Sequence, residues 1–91
     1  MISFPLLRRR LLVDGIVQGV GFRPFIYNLA RAENLCGFVT NTSDGVIIEI
    51  QGTAEALDRF ATRLEAEAPP LADILSVHSE LRETEIGRAH V

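Results

Sequence analysis

The sequence has few residues that could bind a metal or form a disulfide. It contains one cysteine, Cys36, and two histidines among 91 residues. A disulfide within the chain and a zinc site built from cysteines are therefore excluded, and the single thiol favours a reducing, cytoplasmic environment. The chain also lacks tryptophan and contains no apolar run long enough to cross a membrane.

Positive charge is scarce as well. Nine Lys and Arg residues stand against twelve Asp and Glu residues, so the net charge is −3. This balance argues against a dedicated nucleic-acid-binding domain, which is usually basic. The one basic cluster, Arg8-Arg9-Arg10, is interpreted as the solvated start of a strand. The alternative is a positive field that attracts an anionic substrate or a partner surface.

What the chain does contain is an ordinary globular composition of 47% hydrophobic residues with clear periodicity. The periodicity predicts the order β-α-β-β-α-β, with strands at 11–13, 36–41, 46–52 and within 74–81, a first helix starting between 22 and 24, and a second after Thr53. Pro69-Pro70 is expected to end the second helix. The predicted fold class is α+β: a ferredoxin-like sandwich of an antiparallel sheet with two helices on one face.

Within two predicted strands, apolar and polar residues alternate. In the third strand Val46, Ile48 and Ile50 share one face, whereas Glu49 and Gln51 lie on the other. In the last strand the apolar residues that alternate with polar ones are Leu75, Val77 and Leu81.

A glycine-rich loop precedes the first helix. Residues 17–25 read Val-Gln-Gly-Val-Gly-Phe-Arg-Pro-Phe. Such a loop presents several backbone N–H groups to one point, and the helix dipole adds partial positive charge there, so the segment is predicted to bind a phosphate. The guanidinium of Arg23 can bind two anion oxygens. The alternative is a tight glycine turn whose arginine pairs with a surface carboxylate.

Asn41 ends the second predicted strand and is the other candidate for the site. In the predicted topology this strand pairs with the third, which is the neighbour of the first, so Asn41 is expected near the loop. Its amide can donate to an oxyanion and accept from a water molecule. The alternative is that Asn41 starts the turn and caps its own backbone.

Two segments carry a family resemblance. Val17-Gln18-Gly19-Val20-Gly21-Phe22-Arg23 resembles the acylphosphatase signature, and Gly37-Phe38-Val39-Thr40-Asn41 resembles the second motif of that family. The resemblance extends from about Leu11 to Val77. Pro24, together with Pro69-Pro70-Leu71-Ala72, makes the chain most similar to the N-terminal domain of the carbamoyltransferases of [NiFe]-hydrogenase maturation, since stand-alone acylphosphatases usually lack the proline after the arginine.

The resemblance implies an enzymatic site for acyl phosphates, most specifically carbamoyl phosphate. It implies that Arg23 and Asn41 are catalytic and that no metal takes part. The residues that would bind the phosphoryl group, or a phosphate or sulfate in its place, are Gln18, Gly19, Val20, Gly21, Phe22 and Arg23. The two alternatives are a free-standing acylphosphatase and a phosphate-binding module without catalytic activity.

The resemblance also implies a longer parent protein. Residues 1–91 would form one N-terminal domain without cofactor, and ATP and zinc are expected only in downstream domains. The parent would act on a hydrogenase-maturation partner in the cytoplasm, with no nucleic-acid or membrane partner. The family has a fifth strand, which is expected to be missing or irregular here because residues 85–91 show no alternating pattern.

Overall fold

The computed structural model describes residues 6–16, 21–70 and 72–84. Their elements follow the predicted order: β1 (Leu7–Ile16), α1 (Phe22–Ala32), β2 (Cys36–Thr42), β3 (Gly45–Gly52), α2 (Ala54–Ala66) and β4 (Asp73–Arg82). The strand order is β2-β3-β1-β4, and every neighbouring pair is antiparallel. The ferredoxin-like fold is therefore confirmed, with β1 and β3 at the centre of the sheet. β1 is longer than the predicted 11–13.

Both helices begin where the sequence predicts. α1 starts at Phe22 and ends at Ala32. Asn34, two residues after the helix, adopts a left-handed φ of 58°. Asparagine tolerates this conformation better than most residues. α2 is capped by Thr53, whose hydroxyl accepts a hydrogen bond from the N–H of Ala56 at 3.2 Å. The helix ends at Ala66, ahead of the two prolines.

The hydrophobic core lies between the helices and one face of the sheet. Val46, Ile48 and Ile50 are buried, as their alternation predicts. The other strand and helix side chains of the core are Leu11, Val13, Val39, Phe22, Ile26, Leu29, Leu57, Phe60 and Leu64. Because α1 and α2 cover this face, the opposite face of the sheet carries the remaining strand side chains; we call it the open face.

The open face holds a buried ion cluster that the sequence did not indicate. Arg8, Glu49 and Gln51 are only 2%, 5% and 7% exposed. Arg8 Nε donates to Glu49 Oε1 at 2.6 Å, and Arg10 Nη2 lies 2.8 Å from Glu49 Oε2. The interpretation of the arginine cluster as a solvated strand start is therefore wrong for Arg8, because Glu49 neutralises its charge and allows its burial.

The alternating pattern of β4 is interrupted by a bulge. The pairing with β1 skips Leu75, which is 72% exposed, and Ile74 packs against the core instead. Of the three alternating apolar residues, only Val77 contacts the core, and Leu81 is exposed. The fifth strand would fall on residues 85–91, which lie outside the described residues.

Candidate active site

The candidate site lies where β1 leads into α1. The N-cap Gly21 has a left-handed φ of 80°, and no side chain caps the helix. Phe25 N–H donates to Gly21 O at 3.2 Å, and the preceding Pro24 has no N–H. The backbone N–H groups of Phe22 and Arg23, the first two residues of the helix, therefore have no side-chain cap. With no acidic residue in the first turn, this end of α1 is suited to an anion.

Two aromatic rings anchor this helix end to the protein. Phe22 is 1% exposed and lies in the core. Its ring packs against Phe25, with the centroids 5.9 Å apart and the planes tilted by 48°. Phe22 therefore fixes the position of the first helical turn, which carries Arg23 next to it.

Arg23 is exposed at the first turn of α1. Within the described residues its guanidinium forms no hydrogen bond and no ion pair. The alternative interpretation of Arg23 as the partner of a surface carboxylate therefore finds no such carboxylate in that part of the chain. Its five N–H donors can meet an incoming anion without first breaking a contact there.

Asn41 lies at the end of β2 and is also exposed. The turn that follows is capped by its neighbour: Thr42 Oγ1 accepts from Asp44 N–H at 3.2 Å and donates to Gly45 O at 3.2 Å. The side-chain amide of Asn41 makes no hydrogen bond with the described residues. The capping role considered for Asn41 thus belongs to Thr42, and the amide is available for another contact.

The strand register places Asn41 at the same end of the sheet as the exit of β1. Asn41 pairs with Val46, which in turn pairs with Val13. Two strand spacings therefore separate the backbones of Asn41 and Val13, which is roughly 10 Å. Val13 is followed by the last residues of β1 and then by the predicted loop, so the sheet brings the Asn41 end of β2 and the start of the loop together.

Only part of the predicted phosphate-binding set is described. Gly21, Phe22 and Arg23 occupy the beginning of α1 as set out above. Gln18, Gly19 and Val20 lie outside the described residues. The structure therefore places the helix half of the predicted set, and the roles of all six residues stay predictions.

Two charge networks involve none of the predicted site residues. Glu33, at the C-cap of α1, accepts from Arg59 at 2.8 Å and Arg63 at 3.1 Å. These hydrogen bonds hold the pKa of Glu33 below its ordinary value. Burial raises the pKa of Glu49, but the hydrogen bonds from the arginines outweigh it and keep that pKa low.

Other titratable groups lie outside the predicted set of phosphate-binding and catalytic residues. Cys36 begins β2, at the end opposite Asn41, and its thiol lies 3.9 Å from the Gln51 carbonyl oxygen. His78 is an exposed residue of β4. The acidic residues on the solvent side of α2 are all exposed: Glu55, Asp58, Glu65 and Glu67. No metal-binding cluster of His, Cys, Asp or Glu occurs among the described residues.

Sequence reasoning missed two features of this chain. One is the Arg8–Glu49–Arg10 cluster, which joins residues about forty positions apart and becomes visible only through the register of β1 and β3. The other is Thr42, although a threonine two residues before an aspartate and three before a glycine is a usual turn signal. In the described part of the chain, neither helix is long and apolar enough to cross a membrane.

Comparisons with known proteins agree with this geometry. The acylphosphatase family model matches residues 9–90. The carbamoyltransferase HypF2 of Cupriavidus necator is 51% identical over 74 residues, which are 81% of this chain and 9% of that protein. The acylphosphatase of Thermotoga maritima is 42% identical over 72 residues, which are 78% of this chain and 79% of that protein.

Solved structures give the same two groups. A crystal structure of full-length HypF, in its phosphate- and nucleotide-bound form, superimposes with a TM-score of 0.92 and 33% identity, covering 96% of this chain and 12% of that one. An acylphosphatase from Bacillus subtilis superimposes with a TM-score of 0.82 and 34% identity, covering 89% of this chain and 90% of that one. The chain thus spans about a tenth of the HypF relatives and most of the free acylphosphatases. It belongs to the acylphosphatase family.

Proposed function

We propose that this domain binds and hydrolyses the phosphoryl group of carbamoyl phosphate, as the N-terminal domain of a carbamoyltransferase of [NiFe]-hydrogenase maturation. One observation carries the proposal: two exposed polar side chains, Arg23 and Asn41, lie at one end of the sheet beside a helix N-terminus without a side-chain cap. Neither side chain is engaged by the described residues. The identity to HypF proteins supports the carbamoyl specificity.

The proposed binding step uses backbone and side-chain donors together. The backbone amides from Gln18 to Arg23 and the Arg23 guanidinium hold the phosphoryl oxygens. Because the helix dipole and the guanidinium both carry positive charge, they stabilise the charge on the equatorial oxygens in the transition state. A bidentate guanidinium also fixes the orientation of the phosphoryl group.

In the proposed hydrolytic step, Asn41 orients a water molecule in line with the bond that breaks. The water oxygen forms a bond to phosphorus, and the phosphorus–oxygen bond to the carbamate breaks. Carbamate leaves with the electron pair, and the water proton passes to the phosphate formed. A loose transition state with a leaving group that is stable as an anion needs no strong base. Positioning and charge stabilisation therefore suffice.

Two pairs of variants test these roles. Arg23→Ala is expected to lower the rate of phosphate release from carbamoyl phosphate about 10²- to 10³-fold, as loss of an oxyanion donor does. Asn41→Ala is expected to lower kcat more than it weakens phosphate binding. The matched controls are Arg31→Ala and Asn28→Ala, which remove an exposed guanidinium and an exposed amide elsewhere on α1. Parent-like turnover by Arg23→Ala would contradict the mechanism.

A second candidate function is a free-standing acylphosphatase, favoured by the 79% coverage of the Thermotoga maritima enzyme. The downstream coding sequence discriminates between the two. A long reading frame with paired Cys-x-x-Cys motifs supports the carbamoyltransferase, and a stop codon supports the free hydrolase. Saturable phosphate binding, without hydrolysis of carbamoyl or benzoyl phosphate, would instead indicate a binding module.

In the proposed parent protein, the cofactors are bound by other segments of the chain. The described residues hold no cluster that fits zinc, and the proposed mechanism uses neither zinc nor ATP. These groups, and the transfer to a hydrogenase-maturation partner, belong to the downstream domains of the proposed parent. A cytoplasmic location is proposed on the same basis and is consistent with one half-buried, unpaired cysteine.

A further inference from the structure

β1 and β4 are joined through a bulge close to the predicted phosphate-binding loop. Asp14 pairs with Ser76, but the next residue of β1, Gly15, pairs with Ile74, so Leu75 is the extra residue. Such a bulge bends the sheet locally and increases its twist, and bulges are frequent beside active sites, where they redirect the chain. The bulge therefore influences the direction in which β1 leaves the sheet.

Gly15 allows β1 to approach the bulge closely. Its φ is +139°, a conformation that residues with a side chain rarely adopt. A Cβ on this residue would overlap the carbonyl oxygen of Asp73 and lie 2.9 Å from the backbone nitrogen of Leu75. Because both are backbone atoms, they cannot move aside as the end of a flexible side chain can. Any larger residue would therefore displace the end of β1 or the bulge in β4.

Little chain separates Gly15 from the proposed anion site. β1 ends at Ile16, and residues 17–21 lead to α1, whose first residue, Phe22, is 1% exposed in the core. The two described ends of this connection are therefore held separately, one by the bulge and one by the core. A displacement of about 1 Å between groups that must act together can lower a rate about 10²-fold. The position of the β1 end is thus a quantity to which the site is sensitive.

Gly37 offers a comparison within the same sheet. Its φ is +148°, and a Cβ there would overlap the carbonyl oxygen of Glu49. Gly37 nevertheless pairs with Ile50 in a regular register, and it lies near the end of β2 opposite Asn41. The two glycines therefore share one backbone requirement, but of the two only Gly15 combines it with a bulge and with a place next to the site.

We propose that Gly15 is a positioning residue for phosphate binding. Together with the bulge at Leu75, it sets where the chain leaves β1 and so aligns the phosphate-binding backbone amides with the Arg23 side chain. Gly15 acts through the backbone that follows it, and no contact with the substrate is assigned to it. The inference rests on the proposed function, since it adds a residue to the binding step of that same site.

Gly15→Ala and Gly37→Ala form a matched pair of variants. Each adds one methyl group to a glycine of similar φ, so both should lower the thermal midpoint, by some 15 °C. The Kd of inorganic phosphate is then measured by isothermal titration calorimetry well below both midpoints. We expect Gly15→Ala to raise the Kd about tenfold and Gly37→Ala to change it by less than about twofold. Equal changes in the two variants, or an unchanged Kd in Gly15→Ala, would overturn the proposal.

Hydrogen exchange in the wild type tests the same coupling independently of how the variants fold. If the bulge favours phosphate binding, phosphate must stabilise the bulge by the same factor. Saturating inorganic phosphate is therefore expected to slow exchange of the backbone amides of residues 74–76 about tenfold and to leave those of residues 80–82, at the other end of β4, unchanged. Equal slowing at both ends, or no slowing at residues 74–76, would overturn the proposal.

The wild type also separates this inference from the proposed function. Absence of saturable phosphate binding would contradict the binding step of the proposed function, and the role of Gly15 with it. Saturable binding with the same Kd in the wild type and Gly15→Ala would contradict only the role of Gly15.

Discussion

Glu49→Gln should destabilise the fold more than any other single change of an acidic side chain in the described residues. The Glu49 side chain is 6% exposed and binds two arginines, one of which is 2% exposed. Glutamine keeps the size of the side chain but removes its charge, so the buried guanidinium of Arg8 loses its counter-ion. Removing one partner of a buried ion pair typically costs 3–5 kcal/mol, and we expect about 3 kcal/mol because glutamine retains one acceptor.

The measurement is urea unfolding followed by far-UV circular dichroism, since the chain has no tryptophan. With a denaturant slope of about 1.5 kcal/mol/M, a loss of about 3 kcal/mol lowers the unfolding midpoint by about 2 M. Glu65→Gln is the matched control, because Glu65 is exposed on α2. Its effect should stay within about 0.5 kcal/mol.

The pH dependence gives an independent check on Glu49. Its pKa in the folded protein lies below the ordinary 4.5, so its stabilising contribution is complete above 4.5 and disappears as the pH falls through the folded-state pKa. The difference between wild type and Glu49→Gln should therefore shrink on acidification below 4.5. If the variant unfolds at the wild-type urea concentration at neutral pH, the cluster does not stabilise the fold and the reasoning is refuted.

Three further predictions concern backbone geometry and charge. Gly45→Ala should lower stability by about 3 kcal/mol, and the thermal midpoint by some 15 °C, because φ is 141° and the new Cβ would overlap the carbonyl oxygen of Val13 in β1. An unchanged midpoint would contradict this strand contact. Thr53→Ala should cost about 1 kcal/mol in urea unfolding through loss of the α2 cap, whereas Thr53→Ser retains most of it. Hydrogen bonds from Arg59 and Arg63 lower the pKa of Glu33, so its contribution to folding stability is complete above pH 4.5 and is lost on acidification. Glu33→Gln should therefore flatten the acid side of a plot of unfolding free energy against pH. A plot identical to that of the wild type would show that these ion pairs do not stabilise the fold.

Local signals in the sequence were sufficient to predict the helices and strands and their order. Thr53 caps α2 as its residue type and position predict, and Val46, Ile48 and Ile50 are buried as their alternation predicts. These properties depend on neighbours within a few residues, so they are readable along the chain. The pairing of β1 with β3 followed from the topology, and it brought Asn41 to the end of the sheet where β1 leads into the loop.

Other features were decided by contacts between distant residues. The interpretation of Arg8 as solvated failed because its counter-ion, Glu49, lies 41 positions away in the sequence. The bulge at Leu75 depends on the backbone of the neighbouring strand, and no residue within β4 announces it. The cap of the β2–β3 turn is an exception, because Thr42, rather than Asn41, makes it through contacts only two and three residues along the chain.

The sequence by itself determined the family, the order of the elements and the two candidate catalytic residues, because glycines, a helix start and a short motif act locally. The tertiary structure alone decided that Arg23 and Asn41 have no competing partner among the described residues, and that Arg10 is held on the open face by a buried carboxylate. The physical reason is that burial and ion pairing depend on which side chains meet in space, and antiparallel pairing joins positions that no local pattern connects.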